Sequence, residues 1–323
     1  MKLNVVGEIG FMESFASLLN TTVENNGKII IPEQFGKGYL QGFYFNTDLR
    51  MIIRNYELKE DMLIKKTSVP NSTERIIISF KNLFLSNKEN INSDKKLLPS
   101  VQVFSGNLDS EMFFPSMTKF RTIVISIEVA YLKKLLKGDF ENKILETITG
   151  KKQSFLFEEL IPPSIHKIAN EMAETKIPIA LTTFYFKVKA EELICLLFAE
   201  LLKREKTTIA ALNIDDVQTI YKIRDTIIAQ LNVPPNLNEL AMQANFSKSK
   251  LKRLFKQIFG ISFFHYYQAF RMKEAALLLK ERKLSVSEVG YQMGFSNLSH
   301  FTRVFEEHIG MKPKKYSMEV NIN

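Results

Sequence analysis

LAMQANFSKSKLKRLFKQIFG (residues 240–260) and VGYQMGFSNLSHFTRVFEEHIG (residues 289–310) are two copies of one pattern. Arg253 and Arg303, Phe255 and Phe305, Gly260 and Gly310, and Tyr266 and Tyr316 are each separated by 50 residues, whereas Ala241 and Gly290 are separated by 49. The second copy therefore carries one extra residue near its turn. Each copy has what two closely crossing helices need: a small residue at the crossing (Ala241, Gly290), then a turn residue that tolerates positive φ (Asn245, Gly294), then an apolar helix face. Start signals precede both. Pro235 and Asn236 stand before Glu239, and Ser285 stands three residues before Glu288 in a capping-box spacing. Ser247 and Ser296 are the expected caps of the two second helices.

Those second helices are amphipathic. In the first, Leu251, Leu254, Phe255 and Ile258 share one face, while Ser249, Arg253 and Lys256 lie opposite with Lys250 and Lys252 on the flanks. In the second, Phe301, Val304, Phe305 and His308 form the expected inner face; Ser299 and Arg303 lie opposite, with Leu298 and Thr302 beside them. An arginine so placed can pair bidentately with guanine O6 and N7, and lysines neutralise phosphates without reading sequence. The run from Phe263 to Arg282 joins the copies. Its roughly 20 residues would span about 30 Å as a helix, close to the roughly 34 Å between successive major-groove segments on one side of B-DNA. Phe263, Phe264, Tyr267, Phe270 and Leu277 to Leu279 are its expected packing surface.

Residues 233 to 317 resemble the DNA-binding domain of the AraC/XylS family of transcription regulators. Arg271, Ala275 and Leu278 of the joining run carry the resemblance, and it continues through Gly294-Phe295, Phe301, Phe305, Gly310, Pro313 and Tyr316. The resemblance implies two helix-turn-helix units in successive major grooves and control of promoter activity. Double-stranded DNA is the implied partner, with RNA polymerase and a second copy of the chain as further ones. Gly290 stands where the family usually has Ala, Asn245 where it often has Gly, Glu306 where a basic residue is usual, Lys312 where Ser or Thr is common, and Ser317 where Arg is common. The Glu306-Glu307 pair weakens the attraction of the second unit for phosphate.

Composition agrees with this division. The chain has 323 residues, 45% hydrophobic and 24% charged, and a net charge of +9. From Pro234 onward there are fourteen Lys and Arg against seven Asp and Glu, so most of the excess sits with the repeat. That uneven balance fits a polyanionic partner for the tail alone. The single cysteine, Cys195, excludes an intrachain disulfide; in its apolar run a buried thiol is expected. No signal-peptide pattern or membrane-length apolar run is legible, and a cytoplasmic protein is expected.

The preceding residues read as α+β: an N-terminal β-rich barrel or jelly roll, cupin-like, over 1–128; helices forming a connector or dimerisation region over 129–232; and an all-α double helix-turn-helix domain over 233–318. Strands are expected at Lys28–Pro32, Gly38–Phe45, Leu49–Leu58, Arg75–Leu85, Val101–Gly106 and Arg121–Ile127. Helices are expected at Leu132–Leu136, Lys143–Ile148, Ser164–Glu174, Thr183–Arg204 and Asp215–Leu231. Tyr39, Phe43, Tyr44, Phe45, Phe104, Phe113 and Phe114 are available for an apolar effector pocket. Arg54, Arg75 and Arg121 could meet an acidic ligand, although lone strand arginines are usually solvated. The stretch Phe35 to Phe45 faintly resembles regulators that respond to pyochelin-type siderophores; the effector itself is not legible. His166, His265, His300 and His308 all lie outside the strands, which argues against a metal-dependent cupin enzyme. No catalytic set and no cofactor motif is legible. The reading is a sequence-specific regulator responsive to a small molecule, the alternative being an architectural DNA-binding protein without a ligand.

Overall fold

The computed structural model describes residues 1–6, 10–67, 74–83, 99–106, 110–136, 143–150, 155–204, 212–281 and 284–319. The chain divides into two compact units, Met1–Ile214 and Asp215–Asn323.

The first unit runs β1 (Lys2–Val6), α1 (Phe11–Leu18), β2 (Lys28–Ile30), β3 (Gly36–Tyr44), β4 (Leu49–Leu58), β5 (Met62–Thr67) and β6 (Arg75–Lys81). It continues with β7 (Ser100–Ser105), β8 (Ser110–Phe114), β9 (Lys119–Glu128), α2 (Val129–Leu135), α3 (Lys143–Thr149), β10 (Leu156–Leu160), α4 (Pro163–Glu174) and α5 (Ile179–Leu201). The strands form a seven-stranded sheet in the order β10-β7-β6-β9-β4-β3-β2 and a three-stranded sheet in the order β1-β5-β8. The expected barrel is therefore an open pair of sheets. Alternation along β4 explains the layering. Leu49, Met51 and Ile53 face a core shared with α2 to α5, whereas Tyr56 and Leu58 face a second core shared with α1 and the small sheet. Side chains of period two thus bury both faces of the large sheet.

Five elements of the first unit escaped the sequence reading: β1, α1, β5, β8 and β10. β1 pairs in parallel with β5, about 60 residues away (Lys2 opposite Leu63). β10 returns after two helices to pair with β7, Leu156 opposite Phe104, and forms one edge of the large sheet. Short strands of mixed composition acquire their identity from such partners. The aromatic residues available for a pocket, each of which reads better as core, are divided. Tyr39, Phe43 and Phe45 pack on the helix side, Phe114 lies in the other core, and Tyr44 and Phe113 are exposed.

α5 buries Leu193, Ile194, Leu197, Phe198 and Leu201 but leaves Leu181, Phe184, Val188 and Leu202 exposed. Cys195 lies on that outer side and is exposed, contrary to the expected buried thiol. The apolar run here is wide enough to cover the core and still leave an outer stripe.

The second unit comprises α6 (Ile214–Ala229), α7 (Leu237–Gln243), α8 (Lys248–Phe259), α9 (Phe263–Glu281), α10 (Val286–Gln292), α11 (Leu298–Ile309) and α12 (Pro313–Glu319). α6, placed by the sequence in the connector, falls within this unit from Asp215 onward. Its Tyr221 ring meets Phe259 of α8 at 5.6 Å. α9 packs against α8, α10, α11 and α12. It buries Tyr266, Tyr267, Phe270, Met272, Ala275, Ala276 and Leu279, whereas Phe264, expected to pack, is exposed. A helix so enclosed is the shared core of both repeats. The expected end of this run, Arg282, lies outside the described residues.

Gly294 is held at φ 75°, and a Cβ there would lie 2.1 Å from the Asn232 carbonyl oxygen. Asn245, its counterpart at φ 53°, carries a side chain in the same left-handed region. Gly294→Ala should therefore destabilise the second unit by about 2 kcal/mol or more, combining left-handed strain with a backbone clash. Asn245→Gly should stay within about 1 kcal/mol of the parent. Urea titration followed by far-UV circular dichroism would measure both, and equal effects would contradict the close approach at Asn232.

Candidate nucleic-acid interface

Each repeat is built from local signals. Asn236 caps α7, its side chain accepting from the Asn238 N–H. Ser285 caps α10 with both halves of a capping box, the Ser285 hydroxyl accepting from Glu288 N–H and the Glu288 carboxylate accepting from Ser285 N–H. Ser247 caps α8 as expected, accepting from Lys250 N–H. The cap of α11 is Asn297, not Ser296; its side chain accepts from both Ser299 and His300 N–H groups. This places the extra residue. Turns 245 and 294 keep the 49-residue offset, Ser296 is inserted after the second turn, and caps 247 and 297 restore the offset of 50. Both second helices then have twelve residues and end on left-handed glycines, Gly260 and Gly310.

Arg253 and Arg303 consequently occupy the same position, the sixth residue of α8 and of α11. Both are exposed, as are Ser249, Lys252 and Ser299. Arg253, Lys252 and Arg303 have no ion-pair partner among the described residues. The remaining expected contacts are less available. Lys250 donates to Asp216 of α6 at 2.8 Å and lies 4.1 Å from the Phe246 ring centroid. Lys256 is half-buried. The Thr302 hydroxyl donates back to the Leu298 carbonyl, and Leu298 is half-buried toward Gly290, where a Cβ would lie 2.7 Å from its Cδ2. His308, expected on the inner face, is exposed; half-buried Ile309 packs against the core instead. The matching position of α8, Ile258, is buried, so the outward place of the 308 position goes with its polar imidazole and not with the helix spacing. Lys248, the first residue of α8, is exposed beside this set and was missed. Its position just after the Ser247 cap was the available signal.

One buried group positions the second repeat. Arg271 of α9 is 4% exposed. Its Nε donates to the Met293 carbonyl at 2.6 Å, and its guanidinium lies 3.7 Å from the Phe295 ring centroid. Nη1 reaches the Gln268 side-chain oxygen at 3.4 Å. Burial holds its pKa below the usual arginine value, opposed by the nearby Tyr267 hydroxyl, whose own pKa burial raises. That hydroxyl donates to the Leu231 carbonyl at 2.8 Å. The arrangement ties the joining helix to the turn of the second repeat and to the segment before the first.

This geometry defines a double helix-turn-helix DNA-binding domain. A helix-turn-helix domain family matches residues 240–319. The probable transcription factor PqrA of Proteus vulgaris is 32% identical over 100 residues, 31% of this chain and 81% of that protein. The multiple antibiotic resistance protein MarA of Escherichia coli is 32% identical over 103 residues, 32% of this chain and 81% of that protein. ToxT of Vibrio cholerae, a solved structure, shares 17% identity over 85% of this chain and 99% of its own, with a TM-score of 0.30, too low to define a common arrangement. The chain belongs to the AraC family of transcription regulators. It spans 37% of the length of the Msm operon regulatory protein of Streptococcus mutans and 23% of GbdR of Pseudomonas aeruginosa. Among the described residues no helix is long and apolar enough to cross a membrane.

Arg271→Lys keeps the charge but loses the planar stack on Phe295 and the fork geometry. It should destabilise the second unit by about 2 kcal/mol and weaken DNA protection by the second repeat more than by the first. Urea titration and footprinting measure the two effects, and uniform loss across both half-sites would argue against a local role. Asp216→Ala should release Lys250 to the backbone. The slope of log affinity against log salt should then steepen by about 0.9, the value of one added phosphate contact. Anisotropy titrations at several salt concentrations measure it; an unchanged slope would show that Lys250 stays off the phosphates.

Proposed function

We propose that the protein is a sequence-specific regulator of transcription whose second unit reads two neighbouring major-groove segments and whose first unit senses a small molecule. The observation that carries this reading is the equivalence of Arg253 and Arg303, two exposed guanidinium groups on duplicated helices of equal length. The nineteen residues of α9 extend about 28 Å, which suits helices entering segments about 34 Å apart. Arg253 and Arg303 read bases, Ser249, Ser299, Leu298 and Thr302 line their approach, and Lys252, Lys256 and released Lys250 meet the backbone. The exposed Glu306 and Glu307 reduce the second repeat's share of the non-specific attraction.

Selection from randomised duplexes tests this reading. Arg253→Ala and Arg303→Ala should each weaken the selected site by about 1 to 3 kcal/mol and relax preference at one position, whereas Lys252→Ala should weaken all sequences alike. Retained selectivity in both arginine variants overturns the assignment. Failure of the parent chain to select any site favours an architectural binder.

A second copy of the chain is the further partner that α5 supports. Leu181, Phe184, Val188 and Leu202 expose apolar surface at helical spacing along one side of it, with exposed Cys195 between them. Such a stripe on a surface helix is characteristic of an association face. Phe184→Glu with Val188→Glu should convert a dimer to a monomer in analytical ultracentrifugation without loss of helical signal; a monomeric parent chain would remove this partner.

A further inference from the structure

The inner face of the large sheet, toward the small sheet and α1, carries an arginine with no acidic partner among the described residues. Arg54 of β4 is 8% exposed, its Nε has no hydrogen-bond partner, and its guanidinium lies 4.7 Å from the Phe11 ring centroid of α1. Two more buried polar groups without partners lie beside it. Tyr56, two residues along the same face, has an unbonded hydroxyl and is 2% exposed. Thr122, directly opposite Arg54 in the β4–β9 register, has an unbonded hydroxyl and is 9% exposed. Burial pushes the Tyr56 pKa up to about 12, so this hydroxyl remains a donor at neutral pH.

Unsatisfied buried donors each cost about 1 to 3 kcal/mol, more for a charge, and chains seldom gather three of them by accident. Here all three are donors, on adjacent strands, facing one way. Of the acids on the same inner face, Glu158 of β10 is bonded to Gln102 and lies four strands away, roughly 19 Å at ordinary strand spacing, and Glu128 stands at the far end of β9, roughly 20 Å along the strand from Thr122. The surroundings are apolar and aromatic. The Tyr56 ring lies 5.8 Å from Phe15 and 5.7 Å from Phe120. Next to Arg54 along the face, Ile52 and its register partner Val124 are only half-buried although they sit at the centre of the sheet, which leaves an apolar floor open beside the cation. The opposite face has a cleft lined by Tyr39, Ile53, Asn55, Arg121, Met172 and Ala173. There Arg121 already has a partner, and no comparable set of unbonded donors gathers.

We propose that this inner face of the large sheet binds an organic carboxylic acid, its carboxylate taken by Arg54, Thr122 and Tyr56 and its apolar body lying over the half-buried Ile52 and Val124. A carboxylate is acceptor-only and offers about four lone-pair positions to these three donors. Arg50, four residues back on the same face, also has a buried Nε without a partner, but its guanidinium lies over the Tyr44 ring; the guanidinium opposite Thr122 is that of Arg54, one positive charge suited to a monoanion. The inference rests on the proposed sensing role of the first unit and gives that role a ligand class.

The test uses the full chain and thermal denaturation followed by circular dichroism. The probes are benzoate, phenylacetate and octanoate at millimolar concentration, each against its neutral primary amide. At least one acid should raise the midpoint of the parent protein by about 3 °C or more, and its amide should not. Arg54→Met should abolish that shift while raising the ligand-free midpoint, because it removes a buried unpaired charge. Thr122→Val, a milder change, should reduce the shift if Arg54→Met fails to fold. No shift with any acid, or an equal shift in Arg54→Met or Thr122→Val, overturns the site. Affinity for a duplex chosen by randomised selection is measured on the same samples. A thermal shift that leaves this affinity unchanged retains the acid site and removes its regulatory role. Failure to select any duplex overturns the regulator reading without touching the thermal result.

Discussion

The buried guanidinium of Arg271 is the constraint on which the reading half of the molecule depends. It leaves water to lie against Phe295 and to bond the Met293 carbonyl, so it joins the shared helix α9 to the turn from which α11 departs. A charge without water is tolerated only where fixed dipoles and a ring face replace it. Those replacements come from residues that also set the second turn, so α11 cannot tilt without stranding the cation. Tyr267, on the same helix, makes the matching connection backward to Leu231. The two reading helices are thereby referred to a single element.

The second unit was legible because its signals are local. Small residue, left-handed turn, cap and apolar stripe each act within a few residues, and duplication printed them twice. The errors there are also local. Ser296 is the counterpart of Ser247 by residue type, but the inserted residue hands the capping role to Asn297, and a shift of one position cannot be read from residue types when both can cap. His308 takes an inward position by spacing alone, yet its polar ring lies outward where the matching Ile258 is buried.

The first unit was legible only in its long strands. β4 and β9 announce themselves by length and β-branched content. β1, β5, β8 and β10 are short, and their pairings join residues far apart in sequence. Which face a residue takes depends on that register. For this reason the aromatic residues available for a pocket are divided over two cores and the surface, while Arg54, expected to be solvated, is enclosed. The mixed burial of α5 arises similarly: an all-round apolar helix says that it must be covered, not on how many sides.

Asn232 lies only 2.1 Å from where a side chain at Gly294 would begin, and Leu231 receives the Tyr267 hydroxyl. The stretch ahead of α7 is therefore a strap across the later repeat as well as a tether to what precedes it. Excising the domain at residue 233, where the family likeness begins, would cut this strap and uncover the back of the second turn. A fragment that keeps this strap has to start before Leu231, so the boundary that folds differs from the boundary that is recognisable.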